Sequence, residues 1–141
     1  FIEDKETPVV LLSAGIGVTP VLSMLEHIAA KTPDRPVVFI HCNRDVEHVA
    51  LKNDIHAAMV ALKNGKAYMF LSAPPQGPGC PCMKAGRLTA EKLAALNLDK
   101  ASDVYMCGPV GFMDDMKKAL ADEGFANGQV HAEIFGTGTM Q

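Results

Sequence analysis

Three short stretches of the chain carry residue types that could do chemistry. Gly15-x-Gly17-x-Thr19-Pro20 could cradle a phosphate, because glycine lets backbone N–H groups approach an anion with no Cβ in the way, and a helix N-terminus adds partial positive charge. Glycines also serve tight turns, so the pair alone leaves both readings open. If the anion reading holds, Gly17→Val weakens ligand binding more than folding. Cys107-Gly108-Pro109 offers a thiol that could be a small buried hydrophobe, a nucleophile, or a surface packed against a flat ring. Nucleophilic cysteine needs a base, and sequence does not bring His41 or His131 beside it. Cys80-Pro81-Cys82 offers two thiols one residue apart, but the second pair of a zinc site is missing and no histidine is near in sequence, so no metal is expected. Arg87 could bind a phosphate or brace a loop.

Alternating apolar runs and helical patterns must position these residues. Pro8–Ser13 and Pro36–Cys42 are short, β-branched and apolar on both faces, as buried parallel strands are. Ala67–Leu71, Asp103–Cys107 and Val130–Phe135 make the third, fourth and fifth strands. Helices are predicted over 19–30, 47–63, 89–96 and 111–123. Thr19 suits the N-cap of the first and Pro20 its first helical position, while Asn64-Gly65 and Gly124 suit left-handed stops. Asp114 and Asp115 are expected in the first turn of the last helix. The stretch 72–86 holds four of the nine prolines and reads as a loop. This β-α alternation predicts an α/β fold: a doubly wound, five-stranded parallel sheet with helices on both faces. Ligands of such sheets bind beyond the carboxyl ends of the strands, which is where every candidate motif lies. The first turn is not GxGxxG, and the second strand ends His41-Cys42-Asn43-Arg44 with no acid to hold a ribose, so a standard dehydrogenase is not expected.

Composition narrows the partners. The chain has 141 residues, 48% of them hydrophobic and 21% charged, which is one globular domain. The net charge of −3 and the lack of a basic run leave a nucleic-acid partner without electrostatic support. No apolar run approaches the roughly 20 residues of a membrane span. Four irregularly spaced cysteines point to reduced thiols in the cytoplasm.

Taken together, Gly15-x-Gly17-x-Thr19-Pro20, Gly86-Arg87-Leu88 and Cys107-Gly108-Pro109, in this order and spacing, resemble the pyridine-nucleotide half of the ferredoxin–NADP reductase superfamily over nearly the whole chain. His41-x-x-Arg44 with His48-x-Ala50, Cys107-Gly108-Pro109-Val110-Gly111-Phe112-Met113 and Val130-His131-x-Glu133-x-Phe135-Gly136 are similar to its flavohemoglobin branch, though oxygenase reductases share much of them.

The resemblance implies an NAD(P)H-binding domain over residues 1–141, half of a flavin-dependent reductase. Gly15, Gly17, Thr19 and Pro20 would hold the diphosphate and nicotinamide-side ribose. Cys107, Gly108 and Pro109 would sit near the nicotinamide, with Cys107 close to the carbon that gives up hydride. Glu133 and Phe135 would lie beside the flavin, Phe135 shielding its ring. Asn43, Arg44, Ser72 and Phe112, near the ends of other strands, would complete the cofactor-binding set. The turn Ser72-Ala73-Pro74-Pro75 lacks the basic residue that a 2′-phosphate needs, which favours NADH over NADPH. FAD would come from a domain outside this chain, since the Arg-x-Tyr-Ser/Thr flavin motif is absent, and the final acceptor would be a globin haem or an iron–sulfur partner. A flavohemoglobin-like whole would be a nitric oxide dioxygenase. The alternatives are the reductase component of an iron–sulfur oxygenase and a dinucleotide-binding module without turnover. Thr137 departs from the branch, which has proline after Phe-Gly.

Overall fold

A computed structural model describes residues 7–44, 52–73 and 83–134. In chain order these form β1 (Val9–Ala14), α1 (Val18–Lys31), β2 (Val37–Asn43), α2 (Lys52–Ala61), β3 (Gly65–Leu71), β4 (Met83–Ala85), α3 (Ala90–Ala95), β5 (Asp103–Gly108), α4 (Val110–Asp122) and β6 (Val130–Ile134). The strands pair in the order β4-β3-β2-β1-β5-β6, every pair parallel. The chain therefore winds outward from β1 through β2 and β3, then crosses back to place β5 on the other side of β1.

Both faces of the sheet are covered, which explains why the strands read as unbroken apolar runs rather than alternating ones. Side chains alternate across a strand. Val9, Leu11, Val37, Phe39, Leu71 and Tyr105 point to one face and pack with Val18, Val21, Leu25 and Ile28 of α1 and Ile55 of α2. Val10, Leu12, Ile40, Phe70, Val104 and Met106 point to the other, against Leu93 of α3 and Met113, Met116 and Leu120 of α4.

Several expectations need correction. The sheet has six strands, not five: β4 lies inside the stretch read as a loop and pairs Met83 with Met69 and Ala85 with Leu71. Three residues at a sheet edge, half-buried to exposed, carry too little periodicity to be seen. Thr19 is not a cap. The 3₁₀ turn Gly15–Gly17 runs straight into α1, so Gly17 already has helical angles and no side chain caps the helix. Pro20 falls in the first turn, where backbone N–H groups have no intrahelical acceptor and none is lost. Gly65 opens β3 without left-handed backbone; the left-handed positions after helices are Asn97 and, as expected, Gly124. Helix α4 starts at Val110, which moves Asp114 and Asp115 out of its first turn. Residues 47–51 of the second predicted helix, Cys80, Cys82 and Phe135 lie outside the described residues. Among the described residues no helix is long and apolar enough to cross a membrane.

Candidate functional site

The reversal of winding between β1 and β5 leaves a crevice at their carboxyl ends, the place where open parallel sheets take ligands. Two predicted motifs meet there. Gly17 packs so tightly on β5 that a Cβ would run into the Cys107 carbonyl, 2.6 Å from Cys107 C and 2.9 Å from Gly108 N. Its smallness serves this turn-to-strand contact first. Gly15 is the opposite case: its φ is +58°, and a Cβ would meet nothing within 4 Å. Of the two, Gly15 presents open backbone.

Next to the crevice, on the α4 side, lies a cleft of about 410 Å³, within the roughly 300–1,000 Å³ of small-molecule sites. Phe70, Leu88, Phe112 and Met116 give it an apolar lining; Asn43, Arg44, Ser72, Arg87 and Asp115 add polar groups. Strand geometry builds the rim. Beyond the end of the β2–β3 ladder, Ser72 N–H donates to Asn43 O at 3.2 Å and Ala73 N–H to Arg44 O at 2.6 Å, so the two strand ends stay laced together. Gly86 N–H donates to Leu71 O at 2.8 Å, which holds the segment after β4 to β3 and carries Arg87 into the lining. Pro109, an extended N-cap, turns the chain from β5 into α4 and delivers Phe112, Asp115 and Met116. An apolar lining that also includes two arginines can take a planar ring with an anionic tail.

The predicted residues divide between these places. Asn43, Arg44, Ser72, Pro109 and Phe112 line the cleft. Gly15, Gly17, Thr19, Pro20, Cys107 and Gly108 do not; the first four make the turn and first helical residues after β1, with Thr19 exposed. Gly108 is buried, and a Cβ added there would meet the Phe112 ring at 2.9 Å and Ala14 Cβ at 3.3 Å. Cys107 is 2% exposed and packs in the core on the α1 side with Val18 and Tyr105. Neither of the two histidines considered as its base stands beside it. His41 is two strands away, on the far side of Ser13 in the same row, about 9–10 Å at the usual strand spacing. His131 pairs with Tyr105, stacking on its ring at 4.6 Å, with Nε2 3.9 Å from Asp103 Oδ1. The structure thus favours Cys107 as a buried hydrophobe over a nucleophile. The backbone of Glu133 pairs with that of Cys107.

Burial sets the chemistry of the remaining groups. His41 is pushed down to about 4 by loss of solvation, so it is neutral at pH 7. The Cys42 thiol, on the cleft wall, is pushed up to about 12 by burial and stays protonated. Among the described residues no group of three His, Cys, Asp or Glu gathers as a metal site. Sequence reading missed Asp115, an exposed carboxylate that can accept from hydroxyls, because one acid on a helix carries no signal of its own. Arg87 was visible, but its place in the cleft was not.

Comparison with known proteins agrees with this geometry. The family described as oxidoreductase NAD-binding domain matches residues 11–118. The flavohemoprotein of Bordetella pertussis is 36% identical over 133 residues, covering 93% of this chain and 33% of that protein. The crystal structure of flavohemoglobin from Malassezia yamatoensis with bound FAD and heme superposes with a TM-score of 0.83 at 31% identity, over 96% of this chain and 33% of that one. The flavohem-like FAD/NAD binding domain of nitric oxide dioxygenase from Vibrio cholerae gives a TM-score of 0.83 at 25% identity, over 96% and 54%. The chain spans about a third of the length of the curated relatives it matches.

Proposed function

The chain belongs to the oxidoreductase NAD-binding domain family, and from that premise we propose that it binds NADH and presents the nicotinamide to an FAD held by another part of a longer flavohemoglobin-like protein. The observation that carries this reading is the cleft itself: an apolar lining joined by Arg44 and Arg87, at the carboxyl ends of a parallel sheet, near the open backbone of Gly15.

The bound nicotinamide supplies a hydride; this chain's residues hold and orient it. Phe112, Phe70 and Met116 keep water from one face of the cofactor's adenine ring. Arg44 and Arg87 offer donors to phosphate oxygens, and Asp115 accepts from a sugar hydroxyl. Gly15 leaves room for a diphosphate to approach the start of α1. Holding the dinucleotide in one place turns the bimolecular encounter of nicotinamide and flavin into a local one. Cys107, Gly108, Glu133 and Phe135 are proposed to line the nicotinamide–flavin contact. In the whole protein, single electrons would pass from FAD to a globin haem for nitric oxide dioxygenation, in the cytoplasm, without nucleic acid or membrane partners.

A second reading, NADPH, is favoured by one observation. The basic residue missing from the turn after β3 is supplied in space by Arg44 and Arg87, which share the cleft with Ser72. Titration calorimetry of the chain with NADH and NADPH separates the two cofactors. A diaphorase assay with added FAD, on the chain alone and joined to its flavin domain, tests the rest. The chain alone is expected to bind nucleotide without turnover, because hydride is a two-electron unit and a flavin must stand before one-electron acceptors. Robust turnover without the flavin domain, or no binding of either nucleotide, refutes the reading.

A further inference from the structure

On the α1 face of the sheet, opposite the face that carries most of the cleft, Ser13 and His41 make a buried polar pair that none of the proposed chemistry uses. Ser13 of β1 and His41 of β2 are register partners, and both are 0% exposed. Ser13 Oγ lies 2.8 Å from His41 Nδ1, and Asn43 Nδ2 lies 3.4 Å from His41 Nε2. The opposite end of the Asn43 amide is committed, because its Oδ1 accepts the Arg44 backbone N–H at 2.8 Å. Asn43 and Arg44 in turn accept through their carbonyls from Ser72 and Ala73. Asn43, Arg44 and Ser72 are all cleft residues.

These contacts determine where the imidazole proton sits. An amide oxygen occupied by an N–H leaves its NH₂ group facing the ring, and NH₂ only donates. His41 Nε2 must then be the bare, accepting nitrogen. The ring proton is on Nδ1, and it is given to Ser13 Oγ. With the proton on Nε2 instead, two donors would face each other across a part-buried contact, which costs the hydrogen bond.

Resting on the reading of the cleft as a dinucleotide site, we propose that His41 is a positioning residue for it: held by Ser13 in the Nδ1–H form, it orients the Asn43 amide and, through it, the Arg44–Ser72 rim. A phenyl ring would fill the same space but offer Asn43 Nδ2 no acceptor. The burial that keeps His41 neutral serves this role, since a protonated ring would have no acceptor to offer Asn43.

The test uses the whole chain with ¹⁵N labelling, and NADH and 5′-AMP as probes. Long-range proton–nitrogen spectra read the ring directly, and the Nδ1–H tautomer is expected at neutral pH. In His41→Phe, amides inside the sheet, such as those of Leu11 and Val104, should keep their protection from exchange. The Arg44 and Ala73 amides should exchange about fivefold to tenfold faster, and NADH affinity should fall by a similar factor, the size of one lost hydrogen bond. Ser13→Ala keeps the ring and should move the same readouts in the same direction, by less. If His41→Phe does not fold, the tautomer and Ser13→Ala decide. An Nε2–H tautomer, or unchanged exchange at Arg44 and Ala73 in a folded variant, overturns the proposal. A wild-type chain that binds neither probe overturns the dinucleotide reading instead, while tautomer and exchange still judge the coupling of ring to rim.

Discussion

Replacing Gly17 by alanine should damage folding more than any ligand contact. The added Cβ would sit against the Cys107 carbonyl, 2.6 Å from its carbon and 2.9 Å from Gly108 N, where carbon atoms normally keep about 3.5–4.0 Å. These are backbone atoms of β5, a strand paired on both sides, so they cannot swing aside as a side chain would. The turn and the start of α1 must lift by about 1 Å, loosening the contacts of Val18, which is 0% exposed. Over-packing of this kind costs about 1–3 kcal/mol, and rigid neighbours put this case near about 3. For a domain of this size that lowers Tm by about 10 °C. Gly15→Ala is the control, with free space around the new methyl and only the left-handed backbone to strain, about 1–2 kcal/mol. Thermal and urea melts of both variants, with NADH titrations on whatever remains folded, read the two effects apart. A Gly17→Ala chain melting within about 2 °C of wild type, or one more stable than Gly15→Ala, refutes the argument. The order is the reverse of the binding-before-folding effect that the motif alone suggests for Gly17.

Three further outcomes follow from the site. His41 titrates near 4 when folded and near 6.5 when unfolded, so its contribution to stability is complete above about pH 6.5 and falls away as the pH drops towards 4; the loss is about 3 kcal/mol. Urea melts at pH 7 and 4.5 should show it, His41→Gln should flatten the slope, and an equal slope in that variant counts against it. Cys42, held protonated by burial that raises its pKa to about 12, should alkylate about a thousandfold more slowly than an ordinary thiol in the native chain and normally in urea; fast labelling of native Cys42 would show the wall of the cleft to be open. Arg44→Ala and Arg87→Ala should each weaken nucleotide binding about tenfold, the loss of one charge-assisted contact. Their effects should shrink at high salt, and affinities unchanged by either variant would remove the arginines from the site.

Much of the fold was legible because it is written in local periodicity. Residues 9–13, 37–42, 67–71 and 103–107 are apolar without alternation, which identifies strands covered on both faces, and the helices between them imply parallel crossovers. Their burial pattern in the structure has the same cause. Gly124 was legible as a helix stop. Thr19 was misplaced because the glycine turn flows into the helix without a break, so no extended residue precedes it. The edge strand β4 was illegible because three half-exposed residues make no pattern.

The site was only half written in the chain. Glycine spacing, the Cys107-Gly108-Pro109 turn and the resemblance they carry mark the carboxyl ends of the strands, since residue type and neighbour order are properties of the sequence itself. Which of those residues meet is a matter of strand order and register, and neither is encoded over a short span. The β4-β3-β2-β1-β5-β6 order presses Gly17 onto Cys107, ninety positions later, and gathers Arg44, Arg87 and Asp115 around one cleft. Register alone sets Ser13 beside His41; a slip of one residue in either strand would turn that side chain to the opposite face. The sequence determined the elements, through periodicities that act within a few residues, and pointed to the kind of ligand through the family resemblance its motifs carry. The tertiary structure decided what each side chain touches, because those contacts join segments that nothing but the packed sheet brings together.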